Sequence, residues 1–372
     1  MRIGIIDADL CWRKKHRFPN LACMKLAGYL KSVGDETMLI LSPTVAEVGQ
    51  YDKVYLSKVF TDTVVPEELL RLPHVSKGGT GFFYEKAPPL PEEIEHAFPD
   101  YHLYDSWLDI VGRTTSTAGY TDHSIGFLTR GCFRQCDFCV NKSYDRVQVH
   151  SPLAEFLDVS RPKITLLDDN FFGCPQWKPL LLEVQNTGKP FRFVQGLDIR
   201  LLTEEKAEML FASRYCGDFI FAFDNIADRD IIEQKLRLAN KYTHKNLRFY
   251  VFCGFDRSGK YDESFWAQDI RDTFERIGIL MRYNALPYIT RFHRYTESPY
   301  RGMYVTLARW CNQPAQFRKK SFRQFVTSEG ENHSPYRYAA SFEQAYPEIA
   351  KYYDMKPIGG DGVSHTSPYP RI

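Results

Sequence analysis

Three cysteines lie close together near the middle of the sequence. Cys132, Cys136 and Cys139 are separated by three and then by two residues, in the segment that runs from Gly131 to Cys139. Three thiolates at this spacing can surround one face of a 4Fe-4S cluster, with each thiolate binding one iron. The fourth iron then has no protein ligand and is the reactive position. The spacing therefore predicts a cluster with one open coordination site.

A zinc site and a disulfide are the two alternative roles for such a group of cysteines. Structural zinc usually has four ligands in two pairs, and no second pair of cysteines or Cys/His pair lies nearby in the sequence. A disulfide would leave one of the three cysteines over, and disulfides are rare in reducing compartments. Both alternatives remain, but the spacing favours the cluster.

The cysteine motif, with Phe138 directly before the third cysteine, resembles that of the radical S-adenosylmethionine (radical SAM) superfamily. The resemblance implies that the open iron chelates the amino and carboxylate groups of SAM. It also implies that an electron, supplied by a reductant such as flavodoxin or ferredoxin, cleaves the sulfonium. The resulting 5'-deoxyadenosyl radical would then abstract a hydrogen from a substrate. The sequence does not identify that substrate, which could be a small molecule, a peptide or a nucleotide.

The composition is that of an ordinary soluble globular protein. Of the 372 residues, 44% are hydrophobic and 25% are charged. A net charge of +2 gives no indication of a nucleic-acid partner. The sequence shows no signal segment and no apolar run of about 18 residues, so we expect a cytoplasmic protein that does not enter a membrane.

Six further cysteines are scattered along the chain. None of the six lies within ten residues of another, whereas a second iron-sulfur cluster usually needs closely spaced ligands. We therefore expect them to be buried in the apolar core, and an auxiliary cluster is the alternative. They are Cys11, Cys23, Cys174, Cys216, Cys253 and Cys311.

The first 115 residues alternate between strand and helix patterns, which predicts a doubly wound, Rossmann-like parallel sheet. The predicted strands are Arg2–Asp7, Thr37–Leu41, Lys53–Ser57 and His74–Lys77, and the predicted helices are Asn20–Leu30, Thr44–Gln50, Pro66–Leu72 and Pro91–Phe98.

This order resembles the cobalamin-binding-like domain that precedes the radical SAM core in one branch of the superfamily. The segment Phe18 to Leu21 matches the entry to its first helix, and Ser57 and Gly78-Gly79-Thr80 fall where its ligand-facing loops lie. The motif that supplies a histidine to cobalt is absent, and His16 is interpreted as a surface residue. The intervening helices are also short. Cobalamin binding therefore stays open beside the alternative of a domain that only packs or shapes a cleft.

Six further strand patterns in residues 116–287 fit a partial (β/α)6 barrel, which is open where a closed barrel has eight strands. Polar residues follow most of these strands, at the carboxyl ends where such barrels carry their chemistry. The predicted strands are Ile125–Leu128, Lys163–Leu167, Phe191–Gln195, Asp218–Phe223, Arg248–Cys253 and Gly278–Tyr283.

The resemblance implies a role for each of these polar groups, although each could instead be a surface residue or a helix cap. Besides the cysteine ligands, we expect cofactor contacts from Phe138 near the SAM adenine, Asp168, Asp169 and Asn170 near the SAM amino group, Gln195 at the end of the third strand and deeper toward the substrate, Asp224 and Asn225 at the ribose, and Gly254 at the adenine. Asp198 and Arg200 are the candidate catalytic residues, with Arg200 able to hold a carboxylate.

Residues 288–372 are predicted to form a mainly helical extension that covers the barrel. They combine many aromatic residues with a local net charge of about +5. This pattern is typical of amphipathic helices that pack aromatics inward, and the alternative is a surface for single-stranded nucleic acid. A non-catalytic iron-sulfur or nucleic-acid-binding module is accordingly the alternative to an enzyme.

Overall fold

The structure is a computed structural model that describes residues 1–13, 18–141 and 144–356. The predicted surface position of His16 lies outside the described residues. The chain divides into two compact units, Met1–Val194 and Gln195–Ile372.

The first unit begins with a four-stranded parallel sheet, as the alternating pattern predicts. Its strand order is β2-β1-β3-β4, so the chain winds outward in both directions from β1. The elements are β1 (Arg2–Asp7), α1 (Ala8–Trp12), α2 (Leu21–Ser32), β2 (Glu36–Leu39), α3 (Val45–Val48), β3 (Lys53–Ser57), α4 (Glu67–Leu70), β4 (Val75–Gly78) and α5 (Thr80–Phe83).

Helix α2 is the largest helix of this sheet layer. Its N-cap is Asn20, whose side chain accepts a hydrogen bond from the Cys23 amide. Gly34, two residues beyond the end of the helix, has a φ of 90° that favours glycine. Its apolar residues, including Met24 and Leu30, form one buried core with β1.

Gly28 lies in α2 where the helix contacts the backbone at Phe98, which belongs to the connector between the first and second sheets. A Cβ at this position would lie 2.0 Å from the carbonyl oxygen of Phe98, and a backbone atom cannot move aside cheaply. We expect Gly28→Ala to lower the free energy of unfolding by about 1–3 kcal/mol, as overpacking does. Urea denaturation measures this, and Gly78→Ala is the matched control because a Cβ there has no neighbour within 4 Å. Equal stability of the two variants would contradict this packing.

The rest of the first unit contains a connector and a three-stranded parallel sheet of order β5-β8-β9. The small antiparallel pair β6-β7 brackets the cysteine segment. The elements are α6 (Glu92–Glu95), α7 (Asp105–Val111), α8 (Ala118–Thr121), β5 (His123–Gly126), β6 (Thr129–Arg130), β7 (Gln148–Val149), β8 (Lys163–Leu166), α9 (Trp177–Asn186) and β9 (Phe191–Phe193).

The connector and α2 support the second sheet directly. Leu21 of α2 packs with Ile125 and Leu167 at the ends of β5 and β8. The Tyr101 hydroxyl donates to the Phe156 carbonyl at 2.6 Å and accepts from the Ile125 amide at 2.9 Å. The end of β5, from which the cysteine segment departs, is therefore held by buried contacts.

The second unit contains a three-stranded parallel sheet of order β10-β11-β12, followed by helices. The elements are α10 (Glu204–Phe211), β10 (Phe219–Ala222), α11 (Arg229–Tyr242), β11 (Leu247–Cys253), α12 (Glu263–Arg282), β12 (Leu286–Arg291), α13 (Arg301–Cys311), α14 (Pro314–Lys319), α15 (Phe322–Thr327), α16 (Ser334–Ala345) and α17 (Ala350–Tyr353).

The prediction of a strand at Gly278–Tyr283 is wrong. Most of this apolar run belongs to the long helix α12, which ends at Arg282, and the sixth strand is β12. The run resembles a buried strand because residues 276–281 are buried all around the helix. Asn284, with a φ of 54°, then turns the chain into β12.

Several aromatic residues of the C-terminal region pack inward, as the first of the two alternatives predicts. Tyr304, Trp310 and Phe322 are completely buried. Trp310 contacts Phe322 with ring centroids 5.3 Å apart. Among the described residues, no helix is both long and apolar enough to cross a membrane.

Candidate iron-sulfur site

The cysteine segment folds back on itself between β6 and β7. Gly131 has a φ of 95°, and a Cβ there would lie 2.2 Å from the Arg146 carbonyl oxygen, so a side chain at this position would collide with the returning chain. Gln135 has a φ of 46°, and its side-chain amide donates to the carbonyls of Cys132 at 2.9 Å and Tyr144 at 2.7 Å. The described part of this segment, residues 131–141 and 144–146, is here called the cysteine loop.

Hydrogen-bond donors surround the sulfur atoms of this loop. The Arg134 amide donates to Cys132 Sγ and the Asn141 amide donates to Cys139 Sγ, both at 3.4 Å. Each donor lies two residues after its cysteine. Cys132, Cys136 and Cys139 are all partly exposed, so the loop presents them at the surface of its unit.

Asp168, at the end of β8, supports the start of the cysteine loop from inside the protein. Its carboxylate accepts from the amides of Leu128 at 3.3 Å and Thr129 at 2.7 Å, and from the Thr129 hydroxyl at 2.7 Å. Burial raises the pKa of Asp168 to about 7, although the hydrogen bonds from Thr129 and Leu128 act to lower it. The structure therefore places Asp168 in a supporting position beneath the loop.

Asp169 binds residues on both sides of the three cysteines, Gly131 and Asn141, which are here called the two ends of the cysteine loop. One carboxylate oxygen accepts from the Gly131 amide at 2.9 Å, directly before Cys132. The other oxygen accepts from the Asn141 side chain at 2.5 Å, two residues after Cys139. A single carboxylate therefore fixes the separation of the loop's two ends.

Asn170 contacts a cysteine directly. Its side-chain nitrogen donates to Cys132 Sγ at 3.4 Å, and the residue is 2% exposed. Its side-chain oxygen is buried and has no hydrogen-bond partner among the described residues. Phe138, expected near the adenine of SAM, is half-buried on the cysteine loop.

The residues of the cysteine loop fit a 4Fe-4S cluster. The donor set is three thiols with backbone amide donors at two of the sulfurs. Within the described residues, no three His, Cys, Asp or Glu side chains converge closely enough to hold a single metal ion. In a cluster each thiolate binds a different iron, so convergence on one point is not required.

Four of the six scattered cysteines are buried, as predicted for apolar core residues. These are Cys23, Cys174, Cys253 and Cys311. Cys11 and Cys216 are partly exposed.

The two candidate catalytic residues lie together in the second unit. Arg200 donates to both carboxylate oxygens of Asp198, at 2.7 and 3.1 Å, and to Asp228 at 2.7 Å. Burial opposes the charge on Arg200, but its bonds to Asp198 and Asp228 outweigh that cost and leave its pKa raised. Sequence reasoning missed Asp228. The guanidinium therefore already has two carboxylate partners in this unit.

The other predicted cofactor contacts at strand ends of the second unit differ from one another in burial and in hydrogen bonding. Asp224 accepts from the Phe252 amide at 3.0 Å, and burial raises its pKa. Asn225 is exposed and accepts from the Ala227 amide at 3.0 Å, which is the contact of a helix cap. Gln195 is exposed.

Gly254 adopts a φ of 81°, a conformation that favours glycine. Its amide donates at 2.7 Å to Asp269, a half-buried carboxylate that also accepts from the Tyr304 hydroxyl at 2.7 Å. Sequence reasoning missed Asp269 because it lies within α12, away from any strand end.

The carboxyl end of the N-terminal sheet is filled by the protein's own side chains. The Tyr104 hydroxyl donates to Asp7 at 2.8 Å, and the Asn20 side chain donates to Ser57 at 2.9 Å. A Cβ on Gly79 would lie 2.3 Å from the carbonyl oxygen of Lys58, so the loops after β3 and β4 touch. These described groups bond to one another, and they do not fit a corrinoid at this edge.

Asp7 gives this edge a pH dependence. Burial raises its pKa to about 6 from the ordinary value of 3.8, so its contribution to stability is complete below pH 4 and is lost as the pH rises through 6. The free energy of unfolding of the wild type should therefore fall as the pH rises from about 4 to about 6. We expect Asp7→Asn to reduce the slope of this fall by about 1 kcal/mol per pH unit.

Urea denaturation at several pH values measures the effect of Asp7→Asn. Asp109→Asn is the control, because its side chain is 73% exposed. An unchanged slope in Asp7→Asn would contradict a raised pKa at Asp7.

No protein-family model matches the sequence, and no curated protein sequence matches it either. Among solved structures, the chain is similar to TsrM from Kitasatospora setae, a radical SAM methyltransferase with cobalamin and a 4Fe-4S cluster bound. The TM-score is 0.51 at 15% identity, covering 78% of this chain and 75% of that chain. For a second TsrM structure, with tryptophan and aza-SAM bound, the TM-score is 0.49 at 14% identity, covering 77% of this chain and 72% of that chain. For OxsB, a cobalamin-dependent SAM radical enzyme, the TM-score is 0.36 at 12% identity, covering 96% of this chain and 57% of that chain.

The similarity to the first TsrM structure shows the fold. This chain has a mixed α/β fold with parallel sheets and many helices, similar to that of TsrM. The resemblance predicted from the cysteine motif is thereby confirmed at the level of the fold.

Proposed function

We propose that this protein is a radical SAM enzyme that cleaves SAM reductively and abstracts a hydrogen atom from a substrate. The observation that carries the proposal is the cysteine loop, in which Cys132 and Cys139 accept amide hydrogen bonds while Asp169 holds both loop ends. The cluster, when bound, supplies the electron that breaks the sulfonium bond.

The contributions of the chain follow from the contacts around the loop. Cys132, Cys136 and Cys139 would hold the cluster, while Asp168 and Asp169 fix the loop on the ends of β5 and β8. The contacts of Phe138 with SAM remain part of the proposal. So do those of the second-unit residues, which are Gln195, Asp198, Arg200, Asp224, Asn225 and Gly254.

A product assay tests this function. Protein reconstituted with iron and sulfide under anaerobic conditions, reduced with dithionite and given SAM, should form 5'-deoxyadenosine. An intact cluster that forms no 5'-deoxyadenosine would refute the enzyme and favour a non-catalytic iron-sulfur module.

A cobalamin-dependent methyltransferase is the second candidate. It is supported by the similarity in fold to TsrM, whose structure contains cobalamin. The filled sheet edge at Asp7, Tyr104 and Ser57 counts against it. Expression with cobalamin followed by visible spectroscopy decides between the two, because a corrinoid absorbs in the visible range.

The proposal includes an arrangement of the chain and its partners. The domains would be a cobalamin-binding-like domain (1–115), a partial (β/α)6 barrel (116–287) and a C-terminal extension (288–372). The electron would come from a cytoplasmic flavodoxin or ferredoxin. The substrate is a small molecule, a peptide or a nucleotide.

A further inference from the structure

Arg276 of α12 carries a buried guanidinium, and the residue is 2% exposed. One of its terminal nitrogens donates to three main-chain carbonyls, those of Phe223 and Asp224 at 3.0 Å and that of Phe252 at 2.8 Å. The other donates to the Thr273 hydroxyl at 2.9 Å. Among the described residues, no carboxylate bonds to this guanidinium, although a buried charge usually has such a partner. The charge is therefore directed at the carboxyl ends of β10 and β11.

The chain bends where β10 ends, because two successive carbonyls reach the same nitrogen. Successive carbonyls of a strand point to opposite sides, so Phe223 and Asp224 can both bond to Arg276 only if the backbone turns between them. The Phe223 amide still pairs with β11, donating to the Tyr250 carbonyl at 2.8 Å. After the bend, a side-chain oxygen of Asp224 accepts from the Phe252 amide at 3.0 Å. Arg276 thus holds the bend that directs the Asp224 carboxylate to β11.

The second carboxylate oxygen of Asp224 is the group that this bend leaves available. Asp224 is half-buried, and its second oxygen makes no hydrogen bond within the described part of the chain. Burial raises the pKa of Asp224, and Asp228 acts in the same direction. The Phe252 amide and the charges of Arg276 and Arg200 oppose this rise. An ionised oxygen at the carboxyl end of a strand can accept a hydrogen bond from a ligand hydroxyl.

We propose that Arg276 is a positioning residue for SAM and that it acts through Asp224. Its guanidinium fixes the bend after β10, and its charge favours the ionised carboxylate that accepts from a hydroxyl of SAM. This inference rests on the proposed function, in which Asp224 contacts SAM. Arg276 itself bonds only to the chain. An arginine that merely stabilised the fold would affect SAM binding equally with and without the Asp224 carboxylate.

A double-mutant cycle on SAM binding tests this dependence. SAM affinity is measured by equilibrium dialysis with anaerobically reconstituted protein and no reductant. We expect Asp224→Asn to bind SAM about tenfold more weakly than the wild type, the value of one hydrogen bond to a charged group. Arg276→Gln should cause a loss of similar size, and the double variant should lose no more than Asp224→Asn alone. Losses that multiply in the double variant would overturn the inference.

The pH dependence of SAM binding tests the charge of Arg276 separately from its hydrogen bonds. The affinity should fall as the pH is lowered through the pKa of Asp224, and Asp224→Asn should remove this dependence. Arg276→Lys keeps the positive charge, so it should lose affinity at the same pH as the wild type. Arg276→Gln should lose affinity at a higher pH. Equal midpoints in the lysine and glutamine variants would overturn the role of the charge.

Arg282→Gln is the matched control for these variants. Arg282 ends the same helix but is exposed, and it donates to Glu233 at 2.6 Å. The control should bind SAM like the wild type. Circular dichroism checks folding, and Arg276→Lys replaces the glutamine variant in the cycle if that variant does not fold.

Hydrogen exchange without SAM tests the bend itself. The Phe252 amide should exchange about tenfold faster in Arg276→Gln than in Arg282→Gln, because its acceptor on Asp224 is displaced. Equal exchange in the two variants would overturn the inference.

Failure of the proposed function would look different from failure of this inference. A wild-type protein that shows the non-additive cycle but forms no 5'-deoxyadenosine would refute the function alone. An active protein in which the losses from Arg276→Gln and Asp224→Asn multiply would refute the inference alone.

Discussion

Replacing Cys136 by alanine is expected to remove the iron-sulfur cluster and with it the cleavage of SAM. Cys136 is the middle ligand of the proposed trio, and its carbonyl accepts from the Cys139 amide at 2.9 Å in the turn between them. Because each thiolate binds one iron, the two cysteines that remain would leave a second iron of the cluster without a protein ligand. We expect the iron content per protein to fall at least about tenfold. Iron analysis and the visible spectrum after reconstitution measure this loss.

Cys216→Ala is the matched control for Cys136→Ala. Cys216 is also partly exposed but lies in the second unit, outside the cysteine loop. We expect it to retain iron and to form 5'-deoxyadenosine like the wild type. If Cys136→Ala kept its full iron content, or if both variants lost iron equally, the assignment of the ligands would be wrong.

Asp169→Ala is expected to have the second largest effect, through the ends of the cysteine loop. The substitution leaves the Gly131 amide and the Asn141 side chain without their shared acceptor. Partners that orient metal ligands typically change metal affinity 10- to 100-fold. We therefore expect a chelator to remove iron about 10 to 100 times faster than from the wild type. Loss of the visible absorption under EDTA measures the rate.

Asp169→Asn should lie between Asp169→Ala and the wild type, because its amide keeps one acceptor oxygen. Asp145→Asn is the control, since Asp145 is an exposed acid of the same loop. A ranking in which the alanine variant released iron no faster than Asp145→Asn would show that the loop ends need no carboxylate.

Local patterns in the sequence predict much of this fold. β1 and β3 lie at Arg2–Asp7 and Lys53–Ser57 as predicted, because each is a short apolar run followed by a turn or helix signal. The strand at Gly278–Tyr283 fails because a helix buried on all sides has the composition of a strand.

For the candidate site, the sequence predicts which residue types lie at a strand end but not which atoms they contact. The order Asp168, Asp169, Asn170 indicates polar groups at a strand end but not their partners. Only the fold shows that the two aspartates bond to the chain around the cysteine loop and that Asn170 contacts a sulfur. Asp228 and Asp269 lie away from the predicted strand ends, so no spacing in the sequence indicates them.

Electron paramagnetic resonance of the reduced protein, recorded before and after SAM is added, tests the central claim most directly. A cluster held by three thiolates has an iron that can accept SAM as a ligand, so the account predicts a 4Fe-4S signal whose shape changes on addition of SAM. A protein that carries zinc in place of iron, or a cluster signal that SAM leaves unchanged, would contradict an open iron at Cys132, Cys136 and Cys139.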